Sequence, residues 1–377
     1  MNQPLGPLSG LKVIEFSGIG PGPHVAMLLA DLGAEVVRID RPGAGVSNPV
    51  VERARHRLAL DLKSDEGKAR CREAASKADV LIEGFRPGVM ERLGLGPDEL
   101  LALNPGLVYA RMTGWGQDGP LAHAAGHDIN YIAITGALSA VGKRGETATP
   151  PQNLVGDFGG GSMYCAFGIL AALYERERSG RGQVVDAAIV DGATSLMSFF
   201  FGVRHAPHLS TARGRGMLGG AAHFYRCFTC ADGKEISLGS IEPQFYAEML
   251  AKAGAPEELA QGQMNPAHWD DYAAKLAALF LTKTQAEWCA LLEGSDACFA
   301  PVLELDEARE HPHMKARGAY VEHDGSWHTA PAPRFSRTPS SIQKPPSKHG
   351  ADTEAVLKDW GFSADEVAKL MATRAVT

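Results

Sequence analysis

Short apolar runs rich in β-branched residues recur along residues 1–205, and stretches with helical periodicity separate them. Such runs predict buried strands, here Leu11 to Phe16, Glu35 to Ile39, Val80 to Glu83, Leu107 to Met112 and Val184 to Ile189. Strands that alternate with helices are typical of a mostly parallel sheet. Residues 1–205 are therefore predicted to form the main part of a large, Rossmann-like α/β domain.

The pattern changes after a glycine-rich connection at residues 213–220. Two strands, His223 to Cys230 and Glu235 to Ile241, flank Asp232-Gly233, a strong turn signal that predicts a hairpin. Amphipathic helices are predicted next, at Gln244 to Ala253, Asp270 to Phe280 and Gln285 to Leu292. Residues 213–328 are thus predicted to form a smaller α+β domain. A proline- and serine-rich connector over 329–348 and two short helices, Thr353 to Trp360 and Ala364 to Met371, follow.

The composition is that of an ordinary globular protein, with 45% hydrophobic and 21% charged residues in 377. The net charge of -7 argues against a nucleic-acid-binding protein, because that role needs a dense basic face. The chain shows neither an apolar run of about eighteen residues nor a signal-peptide pattern, so a cytoplasmic protein without membrane attachment is expected. Six cysteines are too few for a disulfide scaffold, and the lone pair Cys227 and Cys230 does not indicate a metal site.

Two chemically reactive side chains stand in glycine-rich segments. His127 lies in Ala125-Gly126-His127-Asp128-Ile129-Asn130-Tyr131, and Asp157 lies in Val155-Gly156-Asp157-Phe158-Gly159-Gly160-Gly161-Ser162. Glycine lets a ligand approach the backbone closely, and a carboxylate near the start of the helix predicted for Met163 to Tyr174 is favoured in its ionised form. Taken singly, each residue has an ordinary explanation, as a packed histidine or a helix N-cap. Together they have the composition of a two-base proton-transfer site.

Sequence blocks along most of the chain carry a family resemblance. They are Leu11 to Phe16, Asp31 to Gly43, Ala78 to Gly88, Arg111 to Gln117, the two segments around His127 and Asp157, and Gly239 to Tyr246. In these blocks, and in their order, the chain resembles the α-methylacyl-CoA racemases, a branch of the family III CoA-transferase superfamily. After about residue 300 the similarity is loose. The resemblance implies two interlocked chains in a homodimer, with residues 329–377 returning to the large domain.

The resemblance also implies where an acyl-CoA thioester binds. The residues that match the family's substrate-contacting segments are Arg38, Leu60, Asp61, Leu62, Lys63, Gly84, Phe85, Arg86, Arg92, Gly126, Asp128 and Tyr131. The cations among them stand at predicted strand ends, and guanidinium groups can hold phosphate in bidentate fashion. No cofactor is expected, because CoA is part of the substrate. The glycines after the first strand imitate a dinucleotide motif, but Pro23 stands where its last glycine is needed.

The chemistry of a thioester defines the roles. A hydrogen on the carbon next to the carbonyl is acidic because an enolate forms, so inversion needs a base on one face and an acid on the other. The resemblance makes His127 the base for the S-epimer and Asp157 the base for the R-epimer, with no metal ion. It makes Glu242 of the partner subunit the carboxylate that orients His127. Backbone amides at Gly126 to Asp128 and at Gly159 to Gly161 are candidates for stabilising the enolate.

Three other functions stay open at this point, one of them a decarboxylating or dehydrating enzyme that begins with the same enolate of an acyl-CoA. In a family III CoA-transferase, Asp157 would be a nucleophile that forms a mixed anhydride with the acyl group, and the histidine would have no role. A non-catalytic acyl-CoA-binding protein would use the glycines and arginines only to hold its ligand. The acyl chain is open as well. Apolar surface is offered by Met163, Met217, Phe224 and Phe199 to Phe201, for which core packing is the ordinary explanation.

Overall fold

The computed structural model describes residues 6–206, 209–344 and 353–371. Residues 345–348 of the predicted connector lie outside this range. The chain forms two compact units. Unit 1 contains the described residues of 1–135, 152–196 and 318–377, and unit 2 contains those of 136–151 and 197–317.

Unit 1 is built on a sheet of six parallel strands, which confirms the predicted α/β architecture. In chain order the strands are β1 (Lys12–Phe16), β2 (Glu35–Asp40), β3 (Arg55–Ala59), β4 (Val80–Glu83), β5 (Val108–Thr113) and β6 (Val184–Ala188). Their order across the sheet is β3-β2-β1-β4-β5-β6. Strand β3 was not predicted, because Arg55 and Arg57 give it a charged sequence that does not indicate burial.

Sixteen α-helices lie within the described residues. In chain order they are α1 (Pro21–Asp31), α2 (Asp65–Ala75), α3 (Val89–Arg92), α4 (Pro97–Leu103), α5 (Asp128–Ile134), α6 (Ala137–Ala140), α7 (Tyr164–Ser179), α8 (Ile189–Leu196), α9 (Ser198–Val203), α10 (Pro243–Ala253), α11 (Trp269–Phe280), α12 (Gln285–Leu292), α13 (Leu305–Glu310), α14 (Pro312–Arg317), α15 (Thr353–Asp359) and α16 (Ala364–Met371). Shorter 3-10 helices are Met217–Gly219, Glu257–Ala260 and Pro266–His268. Helices α6 and α9 to α14 belong to unit 2.

The sheet of unit 1 is covered by apolar layers on both faces. Ile14 of β1 packs into one layer, which includes Trp360 and Phe362 from the α15–α16 region, whereas its neighbour Val13 packs into the other layer with Leu29 of α1 and residues of α7. Successive strand residues point to opposite faces, and here both faces are buried. This arrangement explains why the strand sequences are continuous apolar runs and do not alternate with polar residues.

A π-helix, Leu154–Met163, leads directly into α7. The π-helix begins before Met163, the predicted start of the helix. Asp157 lies in the first turn of the π-helix. By length and composition, the continuous stretch Leu154–Ser179 could cross a bilayer, a weak criterion that the core helix of a soluble protein also meets. One side of α7 contributes Cys165 and Ile169 to the core, while Phe167 and Tyr174 are 71% and 69% exposed.

Unit 2 contains the predicted hairpin, β7 (Tyr225–Thr229) and β8 (Glu235–Gly239). A third strand, β9 (Phe299–Val302), pairs with β8 and was not predicted, because Pro301 is a residue that sheets tolerate only at an edge. The core of this unit holds aromatic side chains from the hairpin region and from α11 and α12, among them Phe224, Trp269 and Trp288.

The division into units differs from the predicted domains in three segments. Gly136–Pro151, predicted in the large domain, belongs to unit 2, where Arg144 forms a two-point ion pair with Asp270 of α11 at 2.9 and 2.7 Å. The segment 197–205 also belongs to unit 2. Residues 318–328, predicted in the small domain, belong to unit 1, where β10 (Tyr320–His323) pairs with β11 (Ser326–Thr329).

Candidate active site

A crevice opens at the carboxyl-terminal edge of the unit 1 sheet. Its volume is about 990 Å³, and it is lined by segments that follow β1, β2, β3 and β4. The strand order reverses on either side of β1, and ligands of open α/β sheets bind outside the strand ends at such a reversal. The loops Ser17 to Ile19 and Arg41 to Gly45, which line the crevice, were not among the predicted site residues. The glycines and prolines in and next to these loops were the sequence features that could have indicated a ligand-binding site there.

Half of the predicted CoA-contacting set lines this crevice. Its members are Arg38, Leu60, Asp61, Leu62, Lys63 and Phe85. Gly84 and Arg86 are exposed on either side of Phe85, and Arg92 folds back on the same turn, where its guanidinium would lie 3.2 Å from a Cβ added at Gly88. In the described part of the chain, no ion pair engages Lys63, Arg86 or Arg92. These three cations are therefore available to an anionic ligand.

Arg38 was predicted to bind phosphate at the end of a strand, but its side chain is buried inside the fold. It lies within β2, 4% exposed, and its guanidinium contacts Glu15 at 2.7 Å and Asp40 at 3.0 Å. Arg55 binds the other oxygen of Glu15 at 2.8 Å, and Arg57 binds Asp40 at 2.7 Å. Buried charges persist only when they are paired in this way. Arg38 thus belongs to a buried ion network, which we call the β1–β3 network, and it forms the floor of the crevice.

A second ion cluster shapes the turn that carries Phe85 and Arg86. The Phe85 amide donates to Glu83 at 2.7 Å, and the other oxygen of Glu83 accepts from Arg111 at 2.9 Å. Arg111 also binds Glu91 of α3 at 2.8 Å. Burial raises the pKa of Glu83, while the Phe85 amide and Arg111 oppose the rise. The turn is therefore anchored to the sheet, and Phe85 packs against Phe16 of β1 with a ring-centroid distance of 5.9 Å.

His127 and Asp157 belong to the same small region of unit 1. His127 is the exposed N-cap of α5, and its amide donates to the Asn130 side chain at 3.0 Å. Asp157 lies close enough for the histidine to influence its carboxyl electrostatically. Gly20, beside the crevice residue Ile19, also approaches Asp157, since a Cβ there would lie 3.1 Å from the carboxylate. The predicted acid and base thus come together from two segments, next to the end of the crevice.

The Asp157 carboxyl is half-buried, and burial raises its pKa. The Asn153 amide, which donates to Oδ2 at 3.3 Å, and the charge of His127 lower it, whereas the charge of Asp128 raises it further. A carboxylate with a raised pKa accepts and returns a proton more readily near neutral pH. Asn153 was not predicted, because an amide in a loop carries no sequence signal of its own.

Tyr131 closes one side of this region. Its hydroxyl donates to the Gly126 carbonyl, and its ring meets Trp115 edge-on at a centroid distance of 4.8 Å. A Cβ at Gly114 would collide with the same ring at 2.1 Å. Burial and the Asp157 charge raise the pKa of Tyr131, and Arg86 opposes them. Tyr131 therefore lies close enough to Asp157 and to Arg86 for both charges to act on its hydroxyl.

The two glycine-rich candidates for enolate stabilisation differ in their surroundings. A Cβ at Gly160 would lie 2.6 Å from the backbone of Ala193 in α8, and Gly161 packs against Ile189 and Pro21. These glycines serve close helix packing. The Gly126–Asp128 segment, by contrast, lies at the start of α5, where the first amides of a helix lack partners within the helix. This second segment contains the predicted base His127, whose own amide is bonded to the Asn130 side chain.

Glu242 belongs to unit 2, where it is the exposed N-cap of α10 and its carboxylate makes no capping hydrogen bond. The predicted apolar candidates divide into two groups. Met217 and Phe224 are core residues of unit 2, whereas Met163, Phe199 and Phe201 are exposed. Within the described residues, no group of three histidine, cysteine, aspartate or glutamate side chains could hold a metal ion.

The model of the CoA-transferase family III matches residues 8–353. The chain belongs to this family. The match runs well beyond residue 300, where the sequence blocks indicate only loose similarity. Two curated family III relatives are α-methylacyl-CoA racemases. The mouse protein is 45% identical and the human protein 43% identical, and each alignment covers 98% of this chain and 97% of the relative.

Solved structures agree with this family III assignment. A CaiB/BaiF family protein from Brucella suis superimposes with a TM-score of 0.80 at 25% identity, covering 94% of this chain and 99% of that one. The fold of this chain therefore matches one that has been determined by experiment.

Proposed function

We propose that this protein is a cofactor-independent racemase that interconverts the R and S epimers of 2-methylacyl-CoA thioesters. The observation that carries the proposal is the convergence of His127 and Asp157 at the end of the crevice. Two different groups of suitable basicity are what inversion at one carbon requires. The racemase relatives, at 45% and 43% identity over nearly the full chain, support the same reaction.

The reaction uses the two groups in turn. One side chain takes the α-proton from one face of the substrate, and the other returns a proton to the opposite face. We assign removal from the S-epimer to His127 and removal from the R-epimer to Asp157. The negative charge that develops on the thioester oxygen lies near the amides of the Gly126–Asp128 segment, where a helix start favours an anion.

The CoA portion occupies the crevice in this proposal. The exposed cations Lys63, Arg86 and Arg92 bind its phosphates, and the partly buried Leu62 contacts the apolar parts of the ligand. The backbone of the Gly84–Phe85 segment approaches the ligand without obstruction from a side chain at Gly84. Arg38 supports this floor from below through the β1–β3 network.

The active unit is proposed to be a cytoplasmic homodimer with interlocked chains. A stripe of exposed apolar side chains along one side of the π-helix and α7 supports a protein partner, its members being Leu154, Met163, Phe167, Leu170 and Tyr174. Contiguous exposed apolar surface is typical of subunit interfaces. In this dimer, the exposed carboxylate of Glu242 from one chain orients His127 of the other.

The reaction is tested by incubating the protein with one epimer of a 2-methylacyl-CoA in deuterated water, without an acceptor acid. We expect deuterium at the α-carbon, loss of optical purity and no release of CoA. If nothing exchanges, but an added carboxylic acid receives CoA, the protein is a transferase and an acyl adduct on Asp157 should be trapped by hydroxylamine. Binding without either reaction would establish a non-catalytic binding protein.

Subunit complementation tests the dimer and the place of Glu242. His127→Ala and Glu242→Gln chains, each inactive alone, are co-expressed with different tags and the mixed dimer is isolated. One intact site per mixed dimer is expected to restore up to half of the wild-type activity. Activity absent from the mixed dimer would show that Glu242 acts within its own chain, and a monomeric mass by light scattering would exclude the dimer altogether.

A further inference from the structure

Asp128 contacts the backbone of Asp157 through its side chain. Its Oδ1 accepts a hydrogen bond from the Asp157 amide at 2.7 Å, across 29 residues of sequence. Asp128 is also the first residue of α5 and directly follows His127. One carboxylate therefore joins the segment that carries the histidine to the segment that carries the catalytic aspartate. Charge-assisted hydrogen bonds of this length are among the stronger ones in proteins.

The Asp128 carboxylate is closely packed against the π-helix. A Cβ on Gly156 would lie 2.2 Å from Asp128 Oδ1 and 3.0 Å from Ile132 of the same helix, so the oxygen rests directly on the π-helix backbone. On the carbonyl side of the same residue, the hydroxyl of Ser162, which is fully buried, lies 3.2 Å from the Asp157 oxygen and 3.0 Å from the Pro21 carbonyl. The backbone of Asp157 is thus held at its amide and at its carbonyl.

No ion pair involves Asp128 in the described portion of the chain, and its charge acts on Asp157 across a short distance. The other groups that act on Asp157 are His127 and Asn153, and Tyr131 of α5 lies beside both carboxylates. A residue used only to begin a helix needs no such contact, because the dipole favours an acidic residue at any first-turn position. Asp65, which begins α2, illustrates this simpler role with an exposed side chain.

We propose that Asp128 is a positioning residue, whose carboxylate sets the separation between His127 and the Asp157 carboxyl across the α-carbon of the substrate. This role rests on the proposed two-base racemisation. The contact requires an acceptor atom at Oδ1 and a glycine at 156. It does not require the negative charge. Misplacing one of two opposed groups by about 1 Å should lower the chemical rate by about 10²-fold while substrate binding is retained.

The test uses Asp128→Ala, Asp128→Asn and Asp65→Ala in the full-length protein, with racemisation and deuterium exchange as readouts. Asp128→Ala is expected to lower kcat about 10²-fold with KM within about twofold of the wild type. Asp128→Asn keeps an acceptor oxygen and should retain kcat within about fivefold, with the acid limb of its pH profile moved to lower pH. Asp65→Ala should match the wild type. Equal losses in Asp128→Ala and Asp128→Asn, or a wild-type kcat in Asp128→Ala, would overturn the proposal.

Gly156→Ala provides an independent test that leaves Asp128 in place. Its methyl group displaces the carboxylate, so kcat should fall as in Asp128→Ala. In the double variant Asp128→Ala/Gly156→Ala, the methyl group has no carboxylate to displace. The kcat of the double variant is therefore expected to equal that of Asp128→Ala, and the two losses should not multiply. Multiplied losses would contradict the proposal. Failure of the wild type to racemise would refute the proposed function instead, a result separate from any ratio between variants.

Discussion

Two groups of charged side chains in unit 1 combine carboxylates with basic residues and serve different purposes. In the β1–β3 network, Glu15 and Asp40 are each held between two arginines at 2.7 to 3.0 Å. At the candidate active site, Asp128 and Asp157 lie together with His127 nearby. The first group neutralises its charge inside the fold. The second keeps a carboxyl whose pKa is raised by burial, and such a group can exchange a proton.

The neighbours of a carboxylate, and not its residue type, therefore decide whether it stabilises the fold or can exchange a proton. A carboxylate between two guanidinium groups has its charge balanced inside the fold. A carboxylate beside a second carboxylate and half removed from water has two accessible protonation states. The two groups should therefore respond in opposite ways to substitution, with stability lost from one and activity lost from the other.

The largest expected effect is on catalysis. Asp157→Asn should lower racemisation by about 10²- to 10⁴-fold, because general acid–base catalysis contributes on this scale. Its stability should equal or exceed that of the wild type by up to about 1 kcal/mol, since the folded state no longer holds a half-buried carboxyl. Chiral analysis of the acyl-CoA and urea unfolding measure the two quantities. Asp98→Asn, at the exposed start of α4, is the control and should change neither.

The β1–β3 network should show the opposite pattern. Arg55→Met removes one partner of Glu15 together with the bond from Arg55 to the Pro23 carbonyl, leaving buried charge unbalanced. Unfolding free energy should fall by about 3 kcal/mol, as measured by urea denaturation. Arg70→Met breaks only partly exposed pairs with Glu66 and Glu73 and should cost less than about 1 kcal/mol. Similar midpoints for the two variants would remove the proposed contrast.

His223 in unit 2 supplies a third case, a buried group kept neutral. Burial lowers its pKa to about 4, and its ring bonds the Tyr246 hydroxyl at 2.8 Å. Because the folded pKa lies below the unfolded value of about 6.5, protonation favours the unfolded chain, and stability should fall as the pH drops from 6.5 to 4. The loss should amount to about 2 kcal/mol and should be absent from His223→Gln in matched urea titrations. Parallel pH profiles would show that His223 titrates normally.

The smallest expected effect concerns an unpaired exposed cation. Arg86→Ala should raise the KM for acyl-CoA about tenfold and leave kcat within about twofold, because a phosphate contact contributes equally to ground state and transition state. The effect should weaken in high salt. Arg181→Ala, a similarly exposed arginine after α7, is the control. A fall in kcat with an unchanged KM would show that Arg86 acts in the proton-transfer step, and would contradict its assignment to substrate binding.

Much of the fold was predictable from local pattern. The continuous apolar runs indicated five of the six parallel strands, and the Asp232-Gly233 turn indicated the hairpin. The errors have physical causes. Strand β3 is concealed by arginines that are buried through pairing, β9 contains a proline at a sheet edge, and residues 136–151 join unit 2 through a long-range ion pair.

The candidate site was predictable in its reactive residues and less so in its supporting ones. His127 and Asp157 were marked by their glycine-rich segments. Asn153, Ser162 and Gly20, which surround Asp157, were not, because their importance lies in contacts between segments far apart in the chain. Arg38 was predicted as a phosphate ligand, and only its neighbours in β1 and β2 show that its charge is already balanced.

The sequence by itself determined which segments become buried strands and helices and which side chains could donate or accept a proton. Periodicity and residue chemistry are local properties that can be identified along the chain. Tertiary structure decided which charges are neutralised and which remain reactive. That choice depends on burial and on partners that come from separate segments, as when the Asp128 carboxylate of α5 meets the Asp157 amide of the π-helix.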